Sequence, residues 1–169
     1  MPAMRTSASE ISQENRQDHP VVQHLQQELA NAFVLYANYK HYHWQTFGPL
    51  FRDLHLMFDE FAHETLETID EMAERIRMIG QNIEHVQLKQ MQEAAKVHSS
   101  APDQSMREMI EEADANLMVV IKGLRDAARV ADQNHDPGTV DLFSKTVRTH
   151  EKHEWFLRQT LKKRDGLTG

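Results

Sequence analysis

Residues 43–80 read HWQTFGPLFRDLHLMFDEFAHETLETIDEMAERIRMIG and carry the clearest helical pattern in the chain. After Gly48 and Pro49, apolar residues recur at three- and four-residue steps until Gly80, as on one face of a long amphipathic helix. The members of this stripe are Phe51, Leu54, Phe58, Phe61, Thr65, Ile69, Met72, Ile76 and Ile79. A helix with one continuous apolar stripe has to bury it against other elements, so the stretch predicts a packed helical fold.

The sequence on either side supplies the packing partners. A first helix is predicted from Pro20 to about Phe47, a third over residues 103–132, and a fourth from the turn at 134–138 to near Lys163. A weaker pattern over residues 86–95 predicts one short helix in the connection between the second and third long helices. No β-strand pattern appears in the sequence. We therefore predict an all-α fold, a four-helix bundle with a short extra helix in that connection.

At 169 residues the chain is about one domain long. We expect a mobile N-terminal tail over residues 1–18, the bundle over 19–164 and a short C-terminal tail over 165–169. No apolar run approaches the roughly 20 residues that span a bilayer, and the N-terminus does not resemble a targeting segment. The sequence predicts a cytoplasmic protein that makes no membrane contact.

The composition favours metal ions over nucleic acid as partners. The chain has no cysteine, 11 histidines and a formal net charge of -7. Without thiolates, any metal has to be held by His, Asp, Glu or backbone groups. A negative balance attracts cations and repels phosphate backbones.

Candidate ligands lie on the second helix in two pairs with i,i+4 spacing. His55 and Asp59 form one pair, and Asp70 and Glu74 form the other. The 15 residues from His55 to Asp70 span about 22 Å of helix, so the two pairs cannot share one ion within a chain. If two copies of this helix pack antiparallel about a two-fold axis near residues 64 and 65, each pair faces the complementary pair of the other copy.

His43 is expected to join His55 across the turn at Gly48 and Pro49. The set then combines imidazole and carboxylate ligands with open positions, which suits redox-active iron. The alternative at this point is that Asp59, Asp70 and Glu74 form a solvated helix face.

The stretch 43–80 also resembles the Dps family of mini-ferritins. The matching positions are His43-Trp44, Gly48-Pro49, Phe51, Leu54-His55, Phe58-Asp59-Glu60, Asp70, Ala73-Glu74-Arg75 and Gly80. The resemblance is close over these residues and extends more loosely, through helix lengths, from about residue 20 to 163. It implies a ferritin-like bundle that assembles into a dodecameric hollow shell.

The resemblance also implies a function and a ligand set. Family members oxidise ferrous iron, usually with hydrogen peroxide in preference to oxygen, and store ferric mineral, which protects against oxidative damage. Carried over by position, His43, His55 and Asp59 are ligands from one subunit, and Asp70 and Glu74 are ligands from its two-fold partner. We expect a ferroxidase with iron as its metal, and with zinc as a competitor at the same or an adjacent site.

Two features depart from the family pattern. Residues 1–19 contain only two arginines against three acidic residues, so we expect little or no DNA binding. On the fourth helix the predicted core stripe includes His150 and Glu154, which predicts either a buried His–Glu pair or an extra metal site formed by His150 and His63 of the second helix. The alternative functions are a DNA-binding shell that compacts the nucleoid with little iron turnover, and a buffer for zinc or other divalent metals.

Overall fold

The computed structural model describes residues 19–162. Its helices are α1 (Pro20–Gln45), α2 (Phe51–Met78), α3 (Leu88–Ala94), α4 (Met106–Gln133) and α5 (Pro137–Thr160). This part of the chain contains no β-strand. The predicted all-α bundle is confirmed, with the short helix α3 in the connection between the second and third long helices. The expected tails at 1–18 and 165–169, and the expected end of the bundle at 163–164, lie outside the described residues.

Two helical hairpins form the bundle. α1 packs along α2 and α4 packs along α5, and contacts of α1 with α4 and of α2 with α5 join the hairpins. The connection from α2 to α4 crosses from one hairpin to the other, and α3 within it packs on α1. One long crossover of this kind is the connectivity of ferritin-like bundles. Within residues 19–162 no helix combines the length and the apolar character that crossing a bilayer requires.

Local chemistry sets where the helices end. Gly80 has a φ of 82°, and Gln81 N–H donates to Ile76 O at 3.0 Å, so α2 closes with a glycine in the left-handed region. α4 begins at Met106 rather than near 103, because Ser105 and Glu108 cap each other's backbone N–H groups. α5 begins at Pro137, within the predicted turn at 134–138, because Asp136 caps the helix by accepting from Thr139 N–H and proline suits the first turn.

Buried amides on α1 hold the long connection in place. Asn38 Nδ2 donates to His98 O at 2.7 Å, and its Oδ1 accepts from Ser100 N–H at 2.9 Å. Asn31 Oδ1 accepts from Lys96 N–H at 2.7 Å. These amides thereby form hydrogen bonds with backbone groups of the connection that have no partner within a helix.

The core stripe of α5 differs from the predicted one. The predicted members were Val140, Phe143, Val147, His150, Glu154, Leu157 and Leu161. The buried ones are Thr139, Phe143, Thr146, His150, His153 and Leu157. Glu154 instead accepts from Arg158 at 2.7 Å at the margin of the helix. The predicted pairing of His150 with Glu154 inside the bundle is therefore wrong, because burial follows a strict heptad spacing that includes polar residues.

Candidate metal centre

Two imidazoles meet where α1 ends and α2 begins. His43 lies in the last turn of α1 and His55 in the second turn of α2. The turn between the helices stacks their rings, with centroids 3.7 Å apart and planes inclined by 21°. The Phe51 ring lies 5.1 Å from the ring of His55. This packing holds both imidazoles in one orientation.

Hydrogen bonds assign the tautomer of each ring. His43 Nδ1 lies 2.7 Å from His55 O, and His55 Nδ1 lies 2.8 Å from His43 O. A carbonyl oxygen only accepts hydrogen bonds, so Nδ1 carries the proton in both rings. Each Nε2 is then left with a free lone pair. A backbone hydrogen bond on Nδ1 and a free Nε2 is the arrangement in which histidine binds transition metals.

Asp59 adds a carboxylate one turn beyond His55 on α2. Its Oδ1 lies 3.9 Å from His43 Nε2 and accepts from Lys40 Nζ at 2.7 Å. The hydrogen bond from Lys40 lowers the pKa of Asp59 below its usual range, so an anion lies next to His43. We call His43, His55 and Asp59 the half-site.

Asp70 and Glu74 lie farther along α2, where both are exposed. The 11 residues from Asp59 to Asp70 span about 16 Å of helix. Within residues 19–162 no three His, Asp or Glu side chains, those of the half-site included, lie close enough together to hold a metal ion by themselves. One chain thus presents the half-site at one place and the remaining two predicted ligands at another.

The two additional predicted ligands, His63 and His150, are in opposite environments. The His63 side chain is 73% exposed, and its Nδ1 lies 3.8 Å from Asp59 Oδ1. The same nitrogen donates to Asp59 O at 2.8 Å. His150 is fully buried. No hydrogen bond joins the two residues in the part of the chain that the structure describes, so His63 lies next to the half-site and His150 belongs to the core.

A second imidazole cluster fills the core between α2 and α5. The Nδ1 atoms of His150 and His153 are 3.4 Å apart, and His153 Nε2 lies 2.7 Å from Glu64 Oε2. Lys152 donates to the other oxygen of Glu64 at 2.9 Å. We call His150, His153 and Glu64 the buried histidine cluster.

The hydrogen bonds of this cluster determine which ring nitrogens carry a proton. A carboxylate paired with Lys152 accepts only, so His153 donates from Nε2 and accepts at Nδ1 from His150. His150 Nε2 is then an acceptor without a hydrogen-bond partner among the described residues. Burial lowers the pKa of both imidazoles to about 3, so both are neutral near pH 7.

Sequence reasoning named His150 but missed His153, Glu64 and Lys152. A signal for His153 was available, because it stands three residues after His150 in the heptad spacing. Glu64 gave no signal, since the register between α2 and α5 cannot be read from one helix pattern. The interhelical pair of Lys40 and Asp59 was missed for the same reason.

Residues 22–166 match the family model of the Ferritin-like domain. DNA protection during starvation protein 1 of Deinococcus radiodurans is 33% identical over 149 residues, which cover 86% of this chain and 70% of that protein.

Solved structures of Dps proteins from other organisms have folds similar to this chain. Dps from Thermosynechococcus elongatus is 44% identical with a TM-score of 0.84, and the match covers 88% of this chain and 94% of that one. A Dps protein from Vibrio cholerae O1, described as a member of a broad superfamily of ferritin-like diiron-carboxylate proteins, is 29% identical with a TM-score of 0.79, over 96% and 100% of the two chains.

Proposed function

The chain belongs to the Dps family of ferritin-like proteins, and we propose that it oxidises ferrous iron at centres shared by two copies of the chain and stores the ferric product. Iron storage and protection against oxidative damage follow from this family in general. The observation that carries the specific proposal is the half-site, in which His43 and His55 have free Nε2 lone pairs and the ionised Asp59 lies with its Oδ1 3.9 Å from His43 Nε2. Such a set needs further carboxylates to hold the ion and to neutralise ferric charge.

A second copy of α2 supplies those carboxylates. His55, Asp59, Leu66, Asp70 and Glu74 stand on one side of α2, at four- and seven-residue steps. In an antiparallel pair with its axis near residues 64 and 65, Asp70 and Glu74 of one copy face the half-site of the other. Each pair of copies then forms two equivalent centres.

An apolar groove next to this face supports the pairing. The groove has a volume of about 850 Å³, and Asp70 lies in its lining. Its apolar lining residues include Leu29, Phe33, Leu66, Ile69 and Met91. Leu66 is 46% exposed close to the proposed axis. An exposed apolar surface beside unpaired carboxylates is typical of a surface that another protein chain covers.

The chemistry of the proposed centre is a balanced two-electron reaction. Two ferrous ions each give one electron to hydrogen peroxide, whose O–O bond breaks to yield two oxygens at the oxidation level of water. Hydrolysis of the ferric ions then releases protons and starts the mineral. The half-site binds the ferrous substrate through Nε2, and the carboxylates stabilise the higher ferric charge. We expect peroxide as the preferred oxidant and a shell of twelve subunits, because both are properties of the family.

Complementation between two inactive variants tests the shared centre. The double variants His43→Ala/His55→Ala and Asp70→Ala/Glu74→Ala are each expected to lose fast ferrous oxidation while assembling normally. In a mixed pair, one centre combines both defects and the other is intact. Random co-assembly from equal amounts should therefore restore about one quarter of the wild-type rate. The measurement is stopped-flow absorbance after ferrous iron and peroxide are mixed with co-refolded protein, and size-exclusion chromatography checks assembly.

Each other result has a defined meaning. No recovery in the mixed shells would place all five ligands within one chain and end the proposal of a shared centre. Wild-type protein that binds zinc through these residues but does not oxidise iron would be a metal buffer. Retardation of DNA in a gel at moderate salt would favour a DNA-binding shell, whereas the net charge of -7 leads us to expect none.

A further inference from the structure

His63 is an exposed imidazole with one ring nitrogen free. It stands one turn beyond Asp59 on α2, and its side chain is 73% exposed. Its Nδ1 donates to Asp59 O at 2.8 Å, so Nδ1 carries the proton and Nε2 keeps a lone pair. The rings of His43 and His55 are held in the same way, by a backbone carbonyl on Nδ1. His63 therefore has the orientation and the tautomer of a metal ligand.

Glu67 offers a carboxylate one turn further along α2. Its side chain is exposed, and it lines the apolar groove together with Asp70. Lys145 shares a surface depression between α2 and α5 with Glu67, but it binds Glu71 instead. Within residues 19–162 the Glu67 side chain forms no hydrogen bond and no ion pair. Both of its oxygens are therefore available to a cation.

The two side chains do not meet within one chain. The hydrogen bond to Asp59 O turns the His63 ring towards the preceding turn of α2, whereas Glu67 lies on the following turn. No ion pair joins His63 to Glu67 in the part of the chain that the structure describes. A metal ion bound to His63 Nε2 would have to find this carboxylate on another copy of the chain.

The antiparallel pairing of two α2 helices brings His63 and Glu67 together. The axis near residues 64 and 65 has His63 just before it and Glu67 just after it. His63 of one copy then lies level with Glu67 of the second copy, to within about 1.5 Å along the helix. The two residues also stand on one side of α2, roughly 40° and 80° round from Asp59. A two-fold axis keeps them on the same side of the interface.

We propose that His63 of one copy and Glu67 of the second copy bind a zinc ion, with two such sites in each pair of copies. The proposal rests on the pairing that the proposed function requires, and the site is separate from the half-site. Imidazole nitrogen and carboxylate oxygen are both zinc ligands, and water completes the coordination. Zinc has no redox chemistry, so the role of the site is to hold two copies together. An ion that binds the pair and not the single chain stabilises the pair.

Calorimetric zinc titrations test the site in a protein without the imidazoles of the half-site. The double variant His43→Ala/His55→Ala should still bind one zinc ion per chain. Adding His63→Ala or Glu67→Gln should weaken this binding at least about 10-fold, because each change removes one of the two ligands. Adding His98→Ala removes another exposed histidine and is the matched control, which should bind zinc as the double variant does. Size-exclusion chromatography checks that every variant assembles. Zinc affinity that is unchanged by His63→Ala or by Glu67→Gln would overturn the proposal.

Mixed assemblies show whether the two ligands come from two copies. The triple variants with His63→Ala and with Glu67→Gln are refolded together in equal amounts. Random pairing leaves one site in four intact, so about one quarter of the zinc binding of the double variant should return. No recovery would reject a site shared by two copies.

The zinc count separates this proposal from the one on which it rests, because it uses no iron. If the iron complementation succeeds and zinc binding does not return, the shared iron centre stands and the zinc site is rejected. If zinc binding returns in a protein that does not oxidise iron, the pairing and the zinc site stand without ferroxidase activity.

Discussion

The half-site of His43, His55 and Asp59 and the buried histidine cluster of His150, His153 and Glu64 each contain two imidazoles and one carboxylate. In the half-site, both Nδ1 atoms donate to backbone carbonyls, and both Nε2 lone pairs are free. In the buried histidine cluster, His153 uses one nitrogen for Glu64 and the other for His150.

The difference shows that hydrogen-bond partners and burial decide what an imidazole does. Backbone carbonyls take one nitrogen of each ring in the half-site and leave the other for a metal. In the buried histidine cluster three of the four ring nitrogens make internal contacts, the fourth, His150 Nε2, is enclosed in the core without a partner among the described residues, and Lys152 binds the carboxylate at 2.9 Å. A buried neutral pair of this kind contributes to folding and has no ligand set to offer.

The largest expected effect comes from making the same change in both regions. His55→Leu removes a ligand, and we expect ferrous oxidation to slow by at least about 100-fold, since even changes to residues around metal ligands cost 10- to 100-fold. His150→Leu replaces a buried side chain with an apolar one of similar size and should oxidise iron within about twofold of the wild-type rate. Both variants are compared as intact shells by stopped-flow absorbance. Comparable losses in the two variants would show that the buried histidine cluster takes part in the iron chemistry.

A second test uses pH, with an effect of intermediate size. The pKa of His150 and of His153 is about 3 in the folded chain, against an ordinary value of 6.5. Above pH 6.5 both rings are neutral in either state, and their contribution to stability is complete. As the pH falls from 6.5 towards 3, these two histidines bind protons in the unfolded chain but stay neutral in the folded chain. The free energy of unfolding should then fall by about 1.4 kcal/mol per pH unit for each such proton.

His150→Leu is the control for this pH dependence. Burial raises the pKa of Glu28 from 4.5 to about 7, so its contribution to stability is lost as the pH rises through that window, opposite to the histidines. Glu28 is present in both proteins, so its effect cancels when the unfolding free energy of His150→Leu is subtracted from that of wild type. Denaturant titrations at several pH values between 7 and 4 should give a shallower pH slope for the variant. Equal slopes would mean that His150 is protonated in the folded state.

The fold could be predicted from the sequence because helical periodicity is a local signal. The stripe from Phe51 to Ile79 identified α2, and Gly80 marked its end. Prediction failed where polar residues follow the heptad, as Thr146 and His153 do in α5. Apolar periodicity does not register a buried polar residue, because its burial depends on a partner from another helix.

The pairs of candidate ligands could be predicted from the sequence for a related reason. His55 and Asp59, and Asp70 and Glu74, are local pairs whose spacing is visible along one helix. The contacts that set their chemistry are not local. Lys40 of α1 binds Asp59 of α2 across 19 residues of sequence. Such contacts depend on the register between helices, which a helix pattern alone does not specify.

The smallest expected effect concerns this interhelical contact of Lys40. Its ammonium binds Asp59 Oδ1 at 2.7 Å, the oxygen that also faces His43 Nε2. A metal bound to that oxygen has to displace the ammonium. In the buried histidine cluster, by contrast, Lys152 binds the oxygen of Glu64 that does not face the imidazole. Both side chains are partly exposed, so the pair is worth about 0.2–1 kcal/mol. Lys40→Met should therefore bind zinc about 1.5- to 5-fold more tightly in calorimetric titrations. Lys122→Met removes a comparable pair with Asp126 on α4 and should leave zinc affinity unchanged. Weaker binding by Lys40→Met would mean that the ammonium helps to hold Asp59 in place for the metal and does not compete with it.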